Sequence, residues 1–230
     1  MAKQPNAIQA ISWHDDCLYL LDQRVLPQNE VWLKYEQADD VAKAISEMVV
    51  RGAPAIGVTV AYAVVLAARK AWNDAGAHWK QAMPAPLMLL VGSRPTAVNL
   101  QWAMSRMTLF YHGLSDATSP EKALLEEAKH IHQCDIEANH MMGELGAELI
   151  EKNSRVLTHC NAGALATGGF GKALGVIRRA FNDGNIEHVY VDETRPWLQG
   201  ARLTAWELQH DNIPLTLQSE AAVAALMATG

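Results

Sequence analysis

Four short segments of the sequence combine reactive or anion-binding side chains with glycine and with the expected start of a helix. Two of them place an arginine directly before a helix: Arg51-Gly52-Ala53-Pro54 and Ser93-Arg94-Pro95-Thr96. A guanidinium group pairs with a phosphate through two parallel hydrogen bonds, and the amides at a helix N-terminus favour negative charge. Each segment alone is also explained by an ordinary turn with a solvated arginine, but two in one chain favour an anion-binding site.

A cysteine lies where a short apolar segment gives way to glycine-rich sequence. Cys160 occurs in residues 158–163, which read THCNAG. Ligand sites of α/β proteins lie at the carboxyl ends of the strands, and a nearby helix N-terminus lowers the pKa of a thiol, whereas apolar burial raises it. The alternative is a small buried residue that fills the strand end.

A fourth polar segment follows the next apolar run. It contains Asp192-Glu193-Thr194-Arg195-Pro196 and then Gln199-Gly200-Ala201-Arg202. Charged residues after a strand, before a helix, face the same crevice of a parallel sheet. Gln199 could donate a hydrogen bond to a phosphate or a sugar hydroxyl. A polar turn with a helix cap would have the same composition.

One group of potential metal ligands has the wrong spacing. His130, His132, Cys134 and His140 fall in a predicted helix, where His132 lies on a different face from His130 and Cys134. This spacing matches no zinc motif. We therefore predict half-exposed helix residues, and no metal site.

The composition excludes several classes of protein. The chain has 230 residues and a formal net charge of -6, which does not favour binding to nucleic acid or to a membrane surface. The longest apolar stretch, Gly57–Ala68, is shorter than the roughly 20 residues that span a bilayer, so we predict a core helix. The N-terminus has no apolar signal-peptide segment, and three cysteines indicate a reducing, cytoplasmic location.

The first part of the chain is predicted to be mostly helical. Residues 8–35 predict two or three short strands, because apolar runs alternate with turn residues. Apolar spacing then predicts four helices: one from Asp39 or Asp40 to about Val50 that includes Met48, a buried one over 55–72, one from about Ala97, and one from Glu121 to about Lys152. The apolar stripe of the last comprises Leu124, Leu125, Ala128, Ile131, Leu145 and Leu149.

The second part alternates strands and helices. Strands are predicted at 155–158, 188–192 and 213–217, and helices at 172–182, 201–210 and 219–228. This order predicts a parallel sheet. The fold class is therefore α/β: a mostly helical domain with a few short strands over 1–150, then a Rossmann-like domain over 151–230. We expect the second domain to be incomplete, because a doubly wound sheet usually has about five or six strands.

Taken together, these segments resemble one enzyme family. The chain is similar to methylthioribose-1-phosphate isomerases along its whole length, in the opening segment 21–27 (LDQRVLP) and in four longer motifs: RGAPAIG at 51–57, SRPTAVNLQWA at 93–103, THCNAGALAT at 158–167 and VDETRPWLQGARLTAWEL at 191–208.

The resemblance implies an aldose–ketose isomerase of methionine salvage. Its substrate would be 5-methylthioribose 1-phosphate and its product 5-methylthioribulose 1-phosphate, with no metal or organic cofactor. Cys160 would be a catalytic residue. The phosphate and the sugar would be held by Arg51, the backbone of Gly52 and Ala53, Arg94 and Gln199. The resemblance also implies a homodimer, formed through the second domain of the full-length protein.

One part of the family pattern does not occur in this sequence. The family's second catalytic residue is an aspartate in a motif that reads roughly GADRI, followed by an Asn-Lys pair, and neither is present. Three hypotheses therefore stay open: an isomerase whose chain continues, a non-catalytic sugar-phosphate-binding regulatory protein related to initiation factor 2B subunits, and an inactive fragment.

The implied chemistry is consistent with these side chains. A phosphate on C1 prevents formation of the free aldehyde, so the sugar ring must open within the site, which a dry pocket assists. Moving hydrogen between C1 and C2 then requires a group that takes it up and returns it, unless it moves as a hydride. A thiol and a carboxylate could divide this work.

Overall fold

The N-terminal strands form a small antiparallel sheet in the computed structural model, which describes residues 8–229. The three strands pair in sequence order, with Leu20 opposite both Ile11 and Leu33. They are β1 (Ile11–His14), β2 (Cys17–Leu21) and β3 (Trp32–Tyr35). The inward side chains of β2 are fully buried, so this sheet closes one side of the first hydrophobic core.

Six helices follow, and one of them is central. They are α1 (Ala38–Ser46), α2 (Ala53–Ala75), α3 (Trp79–Ala82), α4 (Pro84–Ser93), α5 (Val98–His112) and α6 (Glu121–Ala147). Helix α2 is apolar on nearly all sides and packs against α5 and α6. The stretch Ala53–Ala82 is long and apolar enough to cross a bilayer, but 83% of its most apolar window is buried inside this fold.

The second sheet is parallel, as predicted. Its strands β4 (Ser154–His159), β5 (Ile186–Glu193) and β6 (Leu215–Ser219) lie side by side in sequence order. Helix α7 (Ala173–Asn182) connects the first pair, a π-helical turn (Gly200–Thr204) with α8 (Ala205–His210) connects the second, and α9 (Val223–Thr229) follows. His159 pairs with Asp192, so the carboxyl ends of β4 and β5 meet at one edge.

Two predictions about helix packing were wrong. Leu145 and Leu149 were placed on the apolar stripe of α6, yet they are 58% and 84% exposed. The end of α6 packs on α7 through small residues instead: a Cβ at Gly143 would lie 2.7 Å from the Phe170 ring, and one at Gly146 would lie 2.5 Å from Val176. Close approach of the backbones requires glycine here, and it turns the leucines outward.

The boundaries of the first helices also differ from the prediction. Helix α1 ends at Ser46, and Met48, expected inside it, has a positive φ of 63°. Asp39 and Asp40 lie in the first turn rather than at the cap, which is Gln37. Helix α6 ends at Ala147, about a turn before the predicted end at Lys152.

Candidate functional site

Arg51 is held by Asn161, the residue that follows Cys160, where the helical N-terminal part of the chain meets the parallel-sheet part. Its Nη1 donates to Asn161 Oδ1 at 2.7 Å, and its Nη2 donates to the Asn161 backbone oxygen at 3.2 Å. Arg51 and Asn161 are 110 positions apart. The structure therefore brings together the first and third segments that the sequence singled out.

Gly52 allows the start of α2 to approach the backbone of Ala166 closely. It has a φ of +89°, and a Cβ there would lie 2.4 Å from the backbone oxygen of Ala166. Only glycine tolerates both the backbone conformation and the contact. Gly52 is also the N-cap of α2, and Ala53, the first residue of that helix, is exposed. The amides that open α2 therefore lie beside Arg51, at the positive end of the helix dipole.

Two more arginines contribute positive charge to the site. Burial lowers the pKa of Arg51, and the charges of Arg94 and Arg202 lower it further, whereas Cys160 and Glu207 act in the opposite direction. Arg94 Nη1 is buried and has no hydrogen-bond partner within residues 8–229. Three guanidinium groups near one another repel, and a bound anion would relieve that repulsion.

Cys160 lies directly after β4, at the carboxyl edge of the parallel sheet. It has a φ of +59°, is partly buried, and its backbone oxygen accepts a hydrogen bond from Thr204 Oγ1 at 2.5 Å. A non-glycine residue in this conformation is uncommon. The hydrogen bond from Thr204 fixes the Cys160 backbone and does not involve the thiol.

Gln199 lies in the loop that precedes the π-helical turn. Its Oε1 accepts from Thr194 Oγ1 at 2.5 Å, which leaves the amide nitrogen available as a donor. The side chain of Glu193 caps the following turn by accepting from the backbone N–H of Gly200 at 3.2 Å and of Ala201 at 2.9 Å. The loop is therefore well fixed.

Gln199 and Arg51 share a small cavity. Its volume is about 160 Å³, and it lies between the N-terminal segment and the 197–203 loop. The buried side chain of Gln23 also lines it, and Gln23 Oε1 has no hydrogen-bond partner within the described residues. The other lining residues are Arg24, Glu47, Met48, Trp197, Arg202 and Leu203. The cavity is lined by polar and charged groups on several sides, as expected for a site that orients a polar ligand.

The predicted site residues thus fall into one region, with some exceptions. Arg51 and Gln199 line one cavity, and Gly52 and Ala53 begin α2 directly after Arg51. Cys160 precedes Asn161, which binds Arg51, and Arg94 acts on Arg51 through its charge, but neither Cys160 nor Arg94 lines that cavity. Asp192, from the fourth polar segment, is buried, and its carboxylate accepts from Gln218 Nε2 at 2.8 Å and lies 3.5 Å from His159 Nδ1.

Several residues of the site were not predicted from the sequence as site residues: Gln23, Asn161, Arg202 and Glu207. Arg202 was noted only as part of a polar segment, yet it lines the cavity, and its Nη2 donates to the Gln23 backbone oxygen at 2.6 Å. Glu207 was placed in a helix without a role, yet its side chain is completely buried beneath the loop after Cys160. The predicted helix over 201–210 contains other polar residues besides Glu207, so nothing in its sequence indicated a buried carboxylate.

Helix α6 supports the same loop from its other side. His132 Nε2 lies 2.7 Å from the Gly168 oxygen, and Asp135 Oδ2 accepts from the Gly168 N–H at 2.7 Å. His130 and Cys134 contact each other at the helix surface, 3.6 Å apart. Within residues 8–229, no group of three or more His, Cys, Asp or Glu side chains is arranged to hold a metal ion.

Comparison with known proteins assigns the family. The model of the Initiation factor 2 subunit family matches residues 49–229, which include all of the arginine and cysteine segments described above. The chain belongs to this family. The matched range begins after β1–β3 and α1, and it includes Arg51, Arg94, Cys160 and Gln199.

Two curated relatives carry the name methylthioribose-1-phosphate isomerase. The protein from Nitrosococcus oceani is 54% identical over 230 residues, which are all of this chain and 66% of that protein. The protein from Pseudomonas syringae pv. syringae is 58% identical over 226 residues, 96% of this chain and 63% of its own length. The chain therefore spans slightly less than two thirds of the relatives that it matches.

Solved structures show the same fold. The 5-methylthioribose 1-phosphate isomerase from Pyrococcus horikoshii OT3 matches all of this chain and 66% of its own, with a TM-score of 0.90 and 34% identity. A structure from A. fulgidus, described as translation initiation factor eIF-2B subunit delta, matches 97% of this chain and 66% of its own, with a TM-score of 0.85 and 40% identity. The predicted α/β fold class is confirmed.

Proposed function

We propose that the chain acts on 5-methylthioribose 1-phosphate, as an aldose–ketose isomerase of methionine salvage that forms 5-methylthioribulose 1-phosphate. The observation that carries this proposal is the positive charge that Arg94 and Arg202 add beside Arg51, together with Cys160 at the carboxyl edge of the parallel sheet. The names of relatives that are 54% and 58% identical support the choice of substrate.

The phosphate would bind between Arg51, Arg94 and the start of α2. A guanidinium group carries five N–H donors, and Asn161 takes only one from each Nη of Arg51. The remaining donors, the unpartnered Nη1 of Arg94 and the amides of Gly52 and Ala53 would supply the other hydrogen bonds to the anion. Charge-assisted hydrogen bonds of this kind are the strong ones.

The reacting carbons would then lie beside Cys160. The phosphate is attached to C1, so C1 and C2 are the carbons nearest to the arginines. In the reaction the bond from C1 to the ring oxygen breaks, the ring oxygen takes up a proton, and the hydrogen on C2 moves to C1 while the C2 hydroxyl loses its proton to become the ketone. Cys160 would assist this proton movement or stabilise the transition state. Gln199 would donate to the sugar hydroxyls.

The regulatory alternative has weaker support. The relative from A. fulgidus that is named as an initiation factor subunit is 40% identical, below the two curated proteins named as isomerases at 54% and 58%. The solved isomerase from Pyrococcus horikoshii OT3 is only 34% identical, but it matches with a higher TM-score, 0.90 against 0.85. Structures of other initiation factor subunits, at 13–17% identity, indicate a shared fold alone. A partly buried cysteine beside a phosphate-binding arginine fits catalysis better than regulation.

We also propose the setting in which the chain acts. Cys17, Cys134 and Cys160 are all free thiols, which fits a reducing cytoplasm. The formal net charge of -6 fits a sugar-phosphate ligand held by a few placed arginines, and does not favour a nucleic acid or a membrane surface as partner. The full-length protein would form a homodimer, which sedimentation of that protein tests.

The proposed activity is tested by NMR. Methylthioribose 1-phosphate is incubated with the chain, and with a chimera in which the last third of the Nitrosococcus oceani relative follows Gly230. The control is the same chimera with Cys160→Ser. Formation of the ketose by the chimera, but not by the control, supports the proposal. No turnover by the chimera, under conditions in which the relative is active, would contradict it.

A further inference from the structure

Glu207 is a completely buried carboxylate that lies behind the site and receives four hydrogen bonds. Its Oε1 accepts from Asn161 Nδ2 at 2.9 Å and from the Leu165 N–H at 3.2 Å. Its Oε2 accepts from the Ala164 N–H and from Arg178 Nη2, both at 2.8 Å. The side chain has no exposed surface, so it can touch no ligand.

The loop after Cys160 is shaped around this carboxylate. A Cβ at Gly163 would lie 2.3 Å from both oxygens of Glu207, so the loop needs glycine at that position. Arg178 supplies the balancing charge, and Asp211 accepts from its Nε at 2.6 Å. A buried charge is stable only when it is paired and hydrogen-bonded, and Glu207 meets both conditions.

The Glu207 carboxylate fixes the orientation of the Asn161 side-chain amide. Glu207 can only accept, so the NH₂ group of Asn161 must point toward it. The amide oxygen must then point the other way, where it accepts from Arg51 Nη1 at 2.7 Å. Two consecutive hydrogen bonds thus link Glu207 in α8, through Asn161, to the Arg51 guanidinium group that would hold the phosphate.

We infer that Glu207 is a positioning residue that aligns Arg51 for phosphate binding through the amide of Asn161. The inference rests on the proposed function for its ligand, and the contacts themselves do not depend on it. Arg51 would contact the ligand, Asn161 orients Arg51, and Glu207 orients Asn161. Glu207 also binds the backbone N–H groups of Ala164 and Leu165 in the loop that follows Cys160.

Replacing Glu207 by glutamine should reverse the hydrogen bond between position 207 and Asn161 and remove the one between Asn161 Oδ1 and Arg51. All four groups around the carboxylate are donors: Asn161 and the Leu165 N–H at Oε1, and the Ala164 N–H and Arg178 at Oε2. We expect the new NH₂ group on the Oε1 side, where it deprives the Leu165 N–H of its acceptor but faces one group that can change. Backbone N–H groups and Arg178 cannot become acceptors, whereas Asn161 can turn its amide over. Its NH₂ group would then face Arg51, which loses its acceptor. The volume of the side chain is almost unchanged, so the loss is one of polarity.

A second substitution should repair the first. With Asn161→Asp added to Glu207→Gln, the new carboxylate at position 161 accepts both from Arg51 and from the new amide at position 207. Asp211→Asn is the matched control, because it weakens the Arg178 pair in the same buried network but leaves the four hydrogen bonds of Glu207 unaltered.

The first readout needs no ligand. NMR of the arginine-labelled chain, with the Arg51 signals assigned from Arg51→Lys, reports whether the Nη groups rotate freely. We expect slow rotation in the unsubstituted chain and in Asp211→Asn, fast rotation in Glu207→Gln, and slow rotation again in the double variant. Unchanged Arg51 signals in Glu207→Gln would overturn the inference, as would an equal loss in Asp211→Asn, which would indicate general destabilisation.

The second readout is affinity for methylthioribose 1-phosphate, measured by calorimetry with the melting temperature as a check on folding. Glu207→Gln should bind about tenfold more weakly, since one charge-assisted contact is misaligned. The double variant should recover, and Asp211→Asn should stay within about twofold. Equal affinity of Glu207→Gln and the unsubstituted chain would overturn the inference. Absence of binding by the unsubstituted chain would contradict the proposed function instead, and the NMR readout would then decide the positioning role.

Discussion

Arg51 and Asn161 form a two-point contact between parts of the chain that are 110 residues apart. One Nη group of the arginine binds the side-chain oxygen of Asn161 and the other binds its backbone oxygen, at 2.7 and 3.2 Å. The contact joins the start of α2 to the loop that follows Cys160. It therefore places the proposed phosphate-binding group and the proposed catalytic thiol in one site.

Gly52→Ala should destabilise the fold at this junction. The position combines a φ of +89° with a Cβ that would lie 2.4 Å from the Ala166 oxygen. Strain alone costs about 1–3 kcal/mol, and the clash adds to it, so urea denaturation should show a lower free energy of unfolding by about 3 kcal/mol.

Two other glycines separate the causes of that loss. Gly184 has a φ of +75° but no atom within 4 Å of its Cβ position, so Gly184→Ala should show the strain without the clash. Gly92 lies in α4 with open space around it, and Gly92→Ala should stabilise the helix by up to about 1 kcal/mol. Equal losses in Gly52→Ala and Gly184→Ala would show that the contact with Ala166 is unimportant.

The stability of the chain should fall as the pH drops below about 6.5, partly because of His132. Burial lowers the pKa of His132 below the ordinary histidine value of 6.5, although the hydrogen bond to Gly168 and the charge of Asp135 act against that shift. Its Nε2 faces the Gly168 oxygen and its Nδ1 faces the Tyr62 hydroxyl, an arrangement made by the neutral ring. As the pH falls, this histidine therefore takes up a proton in the unfolded chain before it does so in the folded chain. The contribution of neutral His132 to the free energy of unfolding is complete above pH 6.5 and is lost as the pH falls through the lowered pKa.

His132→Gln isolates this contribution from the other titrating groups. Unfolding free energies are measured in urea at pH 7.5 and pH 5.5 for both chains. The variant should be less stable at pH 7.5 but should lose less stability between the two pH values. A loss as large in the variant as in the unsubstituted chain would assign the pH dependence to other groups.

Cys160→Ser should lower turnover more than binding, when measured in the chimera. The backbone contact with Thr204 is retained, so the site should stay intact while the thiol is lost. General acid–base groups contribute roughly 10²–10⁴-fold to rates, so kcat should fall by at least about a hundredfold while substrate affinity is unchanged. The exposed Cys134→Ser is the control and should retain activity. Equal losses of kcat and affinity would indicate a structural role for Cys160.

Much of the fold could be predicted because hydrophobic periodicity decides it. The long apolar run in α2 predicts a buried helix, and strand–helix alternation after residue 153 predicts the parallel sheet. The exposure of Leu145 and Leu149 could not be predicted, because it depends on two glycines that let α6 approach α7 closely.

The candidate site was predictable only in part. Arginine and cysteine beside glycine-rich loops indicate candidate ligand-binding groups, and an ordinary turn or a small buried residue has the same local pattern. Asn161 and Glu207 carry no such signal. Their importance comes from contacts across more than 40 residues, which no local pattern records, and from the orientation of one amide group.

Binding of methylthioribose 1-phosphate to the chain, compared with Arg51→Ala by calorimetry, tests the central claim most directly. Loss of a charge-assisted contact costs about 1.5–3 kcal/mol, so the account predicts that Kd rises by about 10- to 100-fold. Arg69→Ala removes a guanidinium group that pairs with Glu121, away from the site, and should leave Kd unchanged. Equal affinity of Arg51→Ala and the unsubstituted chain would contradict the account.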